Sequence, residues 1–247
     1  MSDPRPGVLP WLWEGVLELL FPSRCPGCGK AGEEDFCPQC REALPWIGDL
    51  VCRRCGIALN EGEAEDFCSE CRREPRYYDR IRSVFFFRYP VRDAVLSWKY
   101  ARAQGKGEIL AAYLAEFTRT SGFPPPVDLI IPVPISEAKL KKRGFNQAET
   151  LARKIGEAVG APVKPELLKR IKNTPSQSLL KRHERFDNVR NAFKLLWANR
   201  VEGKSVLLVD DIVTSSATLN ECARLLRNAG AKNIYGLTLC GRNVRDP

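Results

Sequence analysis

Val206-Leu-Leu-Val-Asp-Asp-Ile-Val-Thr-Ser-Ser-Ala-Thr218 is the stretch on which the fold turns. Its short, unbroken apolar run reads as a strand buried on both faces, as in a parallel sheet. The strand delivers two adjacent carboxylates, Asp210 and Asp211, to the sheet's C-terminal edge, where open α/β folds bind ligands. Thr214, Ser215, Ser216, Ala217 and Thr218 follow as a small, hydroxyl-rich turn, and Leu219–Asn228 reads as an amphipathic helix. Hydroxyls and backbone N–H groups at a helix start favour an anion. Carboxylates suited to sugar hydroxyls, beside a cradle for phosphate, point to a sugar-phosphate ligand.

Upstream, strand and helix patterns alternate. Ile81–Tyr89 reads as a strand and Val91–Ala103 as a helix. Gly105-Lys-Gly107 is expected to break that helix before another over Ile109–Thr120. Asp128–Val133 reads as a strand, Phe145–Val159 as a helix and Ala161–Val163 as a short strand, and Asn233–Leu239 closes the alternation. This order predicts an α/β fold with a mainly parallel sheet flanked by helices. A Walker-type reading of the acid pair fails on context. Gly203-Lys204-Ser205 precedes the strand, whereas a P-loop follows one, and the first glycine of that motif would fall on Ala198.

The N-terminal third carries four Cys-x-x-Cys pairs: Cys25/Cys28, Cys37/Cys40, Cys52/Cys55 and Cys68/Cys71. Gly29 and Gly56 follow the first pair of each set, and Phe36 and Phe67 precede the second, so one module is repeated in tandem. Eight cysteines so spaced predict two closed four-thiolate zinc sites, structural rather than catalytic. The pairs can combine sequentially or cross-braced, and the short spacers favour sequential hairpins. Disulfides are disfavoured because no secretory signal is visible and an intracellular chain keeps thiols reduced. So small a region buries little core of its own, so metal is expected to supply its folding energy, on the order of 10 kcal/mol per site. Cys222 and Cys240 stand apart and read as core residues.

Three units are expected: an amphipathic N-terminal helix in residues 1–22, the double ribbon in 23–74 and the α/β domain in 75–247. The helical face of Val8–Phe21 is apolar and aromatic, suited first to the chain's own core and second to a membrane surface. No apolar run reaches the roughly 20 residues needed to span a bilayer, so a cytoplasmic protein is expected, at most peripheral to the inner membrane. With 39 basic against 30 acidic side chains the formal charge is +9, which favours anionic partners. Basic residues gather in Lys139–Arg143, Lys169–Lys172 and Lys181–Arg190. Lone His183 lies in the last of these and reads as a surface residue.

The acid pair and its turn resemble the phosphoribosyl pyrophosphate signature of type I phosphoribosyltransferases, with Ser215 at the second threonine and Ser216 at the glycine. The added Cβ at Ser216 is expected to hinder close approach of backbone to phosphate. The whole chain resembles the ComF family, competence-associated proteins with a double zinc ribbon and a phosphoribosyltransferase-like domain. Beyond the ribbons and the acid pair, the match rests on Ile130-Ile-Pro-Val-Pro134 with Leu140-Lys-Lys-Arg-Gly-Phe-Asn-Gln147, and on Thr174-Pro-Ser-Gln177 with Arg185-Phe-Asp-Asn-Val-Arg-Asn-Ala-Phe193.

The resemblance implies that Asp210 and Asp211 hold the ribose hydroxyls and stabilise a cationic ribosyl centre. It implies that Thr214–Thr218 wrap the 5-phosphate, and that Pro134 and Ile135 lie in the pyrophosphate loop. Lys139 and Arg143 are then expected to reach over the pyrophosphate. Magnesium would ride mainly on the ligand's own pyrophosphate. Asn146 and Gln147 either cap a helix or meet ligand. Two functions remain open. One is nucleotide or phosphoribosyl pyrophosphate binding in a protein that handles single-stranded DNA during competence, with a helicase-type uptake partner. The other is phosphoribosyl transfer to a nitrogen acceptor. Ser216 favours the first. Glutamine-dependent transfer is not expected, because Ser2 and a zinc ribbon stand where a glutaminase domain with its N-terminal cysteine would be.

Overall fold

The computed structural model of the chain describes residues 22–59, 66–74, 76–100, 104–173 and 182–242. The strands are Arg80–Phe86 (β1), Leu129–Pro132 (β2), Leu168–Arg170 (β3), Phe193–Leu195 (β4), Ser205–Ile212 (β5) and Asn233–Gly241 (β6). The helices are Pro38–Glu42 (α1), Ser69–Arg73 (α2), Val91–Tyr100 (α3), Gln104–Thr120 (α4), Glu137–Arg143 (α5), Gln147–Val159 (α6), Arg182–Val189 (α7) and Ala217–Asn228 (α8). Four strands form one parallel sheet in the order β1-β6-β5-β2, as the alternation predicts. β3 and β4 make a separate antiparallel ribbon.

The apolar run of β5 is buried on both faces because helices cover both. Leu207 and Val209 join one cluster with Val95, Trp98, Leu110, Leu151 and Ile155 from α3, α4 and α6. Val206 and Leu208 join the other with Leu167, Phe193 and, from α8, Leu219, Cys222 and Leu226. Each such side chain contributes about 1.5–3 kcal/mol of burial free energy. Cys222 and Cys240 are buried in these cores, as expected.

Several local expectations are corrected. Gly105 and Gly107 do not break a helix; both lie within α4. A Cβ on Gly107 would run into Trp98 Cε2 and Nε1, so this glycine lets α4 close onto the indole. The helix expected over Phe145–Val159 forms as α6, two residues shorter at its start, whereas α5 before it was read only as a basic run. Gly144 (φ 84°) ends α5, Asn146 caps α6, and Phe145 lies outside both, stacked on Trp98 at 5.8 Å. Ala161–Val163 makes only the single bridge Val163–Ile130. The β3–β4 ribbon and α7 were not anticipated, since their residues were read chiefly as basic runs. The helix expected at Val8–Phe21 and the Thr174–Gln177 motif lie outside the described residues.

The cysteine modules are welded to the sheet. The Ile47 N–H donates to Val84 O (2.9 Å) and the Phe86 N–H to Pro45 O (2.7 Å), so residues 45–47 cover the β1 edge. From the second module, Arg54 O accepts from Ile81 N (2.7 Å). Cys25, Phe36, Cys37, Cys40 and Leu44 belong to the same apolar cluster as Phe85, Trp98 and Leu114. The close fit at Gly107 makes Gly107→Ala an overpacking change, expected to cost about 1–3 kcal/mol despite alanine's higher helix propensity. Urea denaturation would measure it, and an unchanged or raised midpoint would refute the packing role.

Candidate functional site

β5 carries the two acids at its C-terminal end, where Asp210 lies in register with Thr238 of β6. The Asp211 N–H donates to Asp210 Oδ1 at 2.8 Å. Lys99, from the last turn of α3, makes an ion pair with Asp211 Oδ2, and both side chains are mostly buried. Burial, followed by the charge on Asp211, pushes the Asp210 carboxyl up to about 8, against the pull of the Asp211 amide and Lys99. Lys99 thus compensates Asp211, while Asp210 holds a proton more readily than an ordinary carboxyl.

Further cations surround the pair. Burial lowers the pKa of Lys139, and so do the neighbouring charges of Arg170, Arg143 and Lys99; Asp211 opposes them. Burial also lowers the pKa of Arg170, opposed by attraction to Asp210. Arg143 donates to Gln147 Oε1 (2.9 Å) and lies over the Tyr100 ring at 5.5 Å. The structure therefore brings Lys139 and Arg143 into one electrostatic neighbourhood with Asp210 and Asp211. It adds Lys99 and Arg170, neither of which the sequence singled out for the site. Four cations around two carboxyl groups favour a polyanionic ligand that also presents hydroxyls.

The hydroxyl turn follows directly. Thr214 is exposed, Ser215, Ser216 and Ala217 are buried, and Thr218 is half-buried in the first turn of α8. Ser215 Oγ accepts from Ala217 N at 3.4 Å. Ser216 is the N-cap residue of α8 and adopts φ 56°, ψ 7°, the left-handed conformation that glycine would take without strain. For an L-residue the cost is about 1–2 kcal/mol. Across the site, Pro134 and Ile135 are half-buried in the loop after β2. Ser136 caps α5 by accepting from Lys139 N (3.4 Å). Asn146 accepts from Ala148 N (3.2 Å) and donates to Val133 O (3.1 Å), so it caps α6 and braces the end of β2. Lys142 is exposed.

The eight cysteines form two tetrads, Cys25/Cys28/Cys37/Cys40 and Cys52/Cys55/Cys68/Cys71, with ligand atoms in each within 4.8 Å of one another. The pairing is sequential, not cross-braced. Cys28 Sγ–Cys37 Sγ and Cys55 Sγ–Cys68 Sγ are both 3.7 Å, close to the edge of a tetrahedron with Zn–S bonds of about 2.3 Å. The tandem repeat extends to the backbone. Gly29 N→Cys25 O and Gly56 N→Cys52 O are both 2.9 Å, and both glycines have positive φ. Both tetrads fit closed zinc sites.

Two family models match the chain: the double zinc ribbon domain over residues 16–72 and the phosphoribosyl transferase domain over residues 140–246. The DNA utilization protein YhgH of Salmonella typhi is 29% identical over 241 residues, covering 95% of this chain and 97% of that protein. Competence protein F of Haemophilus influenzae is 28% identical over 215 residues, covering 85% and 92%. Competence protein ComFC of Bacillus subtilis is 28% identical over 222 residues, covering 84% of each. The chain thus joins a double zinc ribbon to a phosphoribosyl transferase domain and is similar over most of its length to competence and DNA-utilization proteins.

Lys99 lay hidden because it ends a helix whose buried face was read as packing alone, while Arg170 sat within a basic run. No described helix is long and apolar enough to cross a membrane. Two outcomes are expected. The raised Asp210 pKa means that the folded chain holds a proton the unfolded chain releases above about pH 4. That stabilising contribution is complete at low pH and disappears as pH rises through about 8. Calorimetry should therefore show a shallower loss of melting temperature between about pH 5 and 8.5 in Asp210→Asn than in wild type, and parallel curves would contradict this. Metal analysis should find about two zinc per chain, and chelation should lower the melting of the whole chain, because the first tetrad shares the sheet's core. Survival of the sheet's transition under chelation would contradict the shared core.

Proposed function

We propose that the α/β domain binds phosphoribosyl pyrophosphate or a nucleotide, in a protein that handles single-stranded DNA during its uptake in natural competence. The observation that carries the ligand is the pairing of Asp210 and Asp211 with the hydroxyl turn at the start of α8, inside the ring of Lys99, Lys139, Arg143 and Arg170. The acids accept hydrogen bonds from the ribose hydroxyls. Residues 214–218 take the 5-phosphate, and Pro134 and Ile135 lie in the pyrophosphate loop with Lys139 and Arg143 reaching over it. Lys99 is placed to leave Asp211 and meet the pyrophosphate as the diol takes its place. Magnesium would be carried by the pyrophosphate, since this ion keeps waters and takes few protein ligands. The DNA setting is supported by the competence and DNA-utilization names of relatives that match most of the chain.

Isothermal titration with phosphoribosyl pyrophosphate and magnesium tests the ligand. Wild type should bind, and Asp211→Asn should bind about 10- to 100-fold more weakly, as expected when a charge-assisted hydrogen bond is lost. No heat from wild type would contradict the reading. Single-stranded DNA binding measured across a salt series tests the setting. Affinity should fall steeply with salt and drop when Lys139, Lys141, Lys142 and Arg143 are replaced together, whereas a flat salt response would remove the basic patch from the account.

A further inference from the structure

Ser216 occupies the position that is glycine in the phosphoribosyl pyrophosphate signature, yet it keeps a left-handed backbone. Its hydroxyl lies 2.9 Å from Tyr78 Oη, and the residues are 8% and 2% exposed. Burial above all pushes the Tyr78 hydroxyl well above its ordinary value, so it stays protonated and able to hydrogen-bond. Tyr78 belongs to the short segment between the second cysteine tetrad and β1, and that segment is stitched to α8. The Tyr77 N–H donates to Asn220 Oδ1 (3.0 Å), and Arg227 Nη2 donates to Tyr77 O (3.2 Å). Ser216 O in turn accepts from Asn220 N (2.8 Å), the first backbone bond of α8.

The turn also forms one wall of a small pocket whose other wall includes Cys55, Cys68, Cys71 and Arg76. The Arg76 side chain is 4% exposed and its Nε has no hydrogen-bond partner, so the wall opposite the turn carries a buried donor.

We propose that Tyr78 is a positioning residue for phosphate recognition: its hydroxyl holds Ser216 in the left-handed conformation and so substitutes for the missing glycine. The amides at the start of α8 then keep the orientation that a phosphate ester needs, although Ser216 carries a Cβ. The second cysteine module thereby acts on the ligand site through the segment that follows it. This deepens the sugar-phosphate reading and rests on it.

The test is a double-mutant cycle of Tyr78→Phe and Ser216→Gly with two readouts. In the free protein, hydrogen exchange of the 213–218 amides should quicken about tenfold in Tyr78→Phe, as expected when one buried hydrogen bond is lost. It should not quicken further when Tyr78→Phe is added to Ser216→Gly. In titrations with phosphoribosyl pyrophosphate and magnesium, Tyr78→Phe should bind about tenfold more weakly than wild type. Ser216→Gly should bind at least as tightly, and the double variant should match Ser216→Gly. An equal loss from Tyr78→Phe in both backgrounds, or no loss in either, overturns the proposal. If Tyr78→Phe does not fold, Ser216→Gly alone decides, and weakened binding by that variant overturns it. Failure of wild type to bind removes the sugar-phosphate reading, while the exchange arm still tests whether Tyr78 holds the turn.

Discussion

Two neighbouring carboxylates at the end of a strand buried on both faces are the constraint around which this molecule is arranged. β5 lies between β6 and β2, and its apolar side chains alternate between two cores. Asp210 and Asp211 therefore emerge where water is scarce, and both cannot ionise there without compensation. The fold supplies Lys99 to Asp211 and raises the proton affinity of Asp210. A ligand that offers two hydroxyls to the acids and phosphoryl groups to the surrounding cations relieves the same tension from outside. The free site is held in a state that such a ligand can replace.

The cysteine modules take part in this architecture. Residues 45–47 cover the free edge of β1, and Cys25, Cys37 and Cys40 of the first tetrad lie in the same apolar cluster as Trp98, the neighbour of Lys99. The second module packs its Gly56 turn against Ile81, where an added Cβ would meet Ile81 O at 2.6 Å. In the segment between that module and β1, Tyr78 reaches the hydroxyl turn through its hydrogen bond with Ser216. Metal that folds the modules thus stiffens the sheet edge and stands close to the ligand loop.

What the sequence disclosed was local. The β5 run, its acids, the amphipathic α8 and the Cys-x-x-Cys spacing each express themselves within about a dozen residues, and each lies where periodicity and spacing place it. Sequential pairing of the cysteines followed from short spacers for the same reason. What stayed hidden depends on contacts between distant parts of the chain. Lys99 meets Asp211, Tyr78 meets Ser216, and Gly107 meets Trp98 only after the helices have packed. The glycines of α4 look like breakers because helix propensity is a weak prior that tertiary packing overrides. Ser216 was expected to hinder the turn as a substitute for glycine, and its partner on another segment is what allows the glycine-like backbone to persist.

The most direct measurement is a crystal structure of the chain bound to phosphoribosyl pyrophosphate and magnesium. The account predicts the ribose hydroxyls on Asp210 and Asp211, the 5-phosphate against residues 214–218, and Lys99 drawn away from Asp211. A ligand bound elsewhere, with the Lys99–Asp211 pair intact and the turn facing empty solvent, would contradict it.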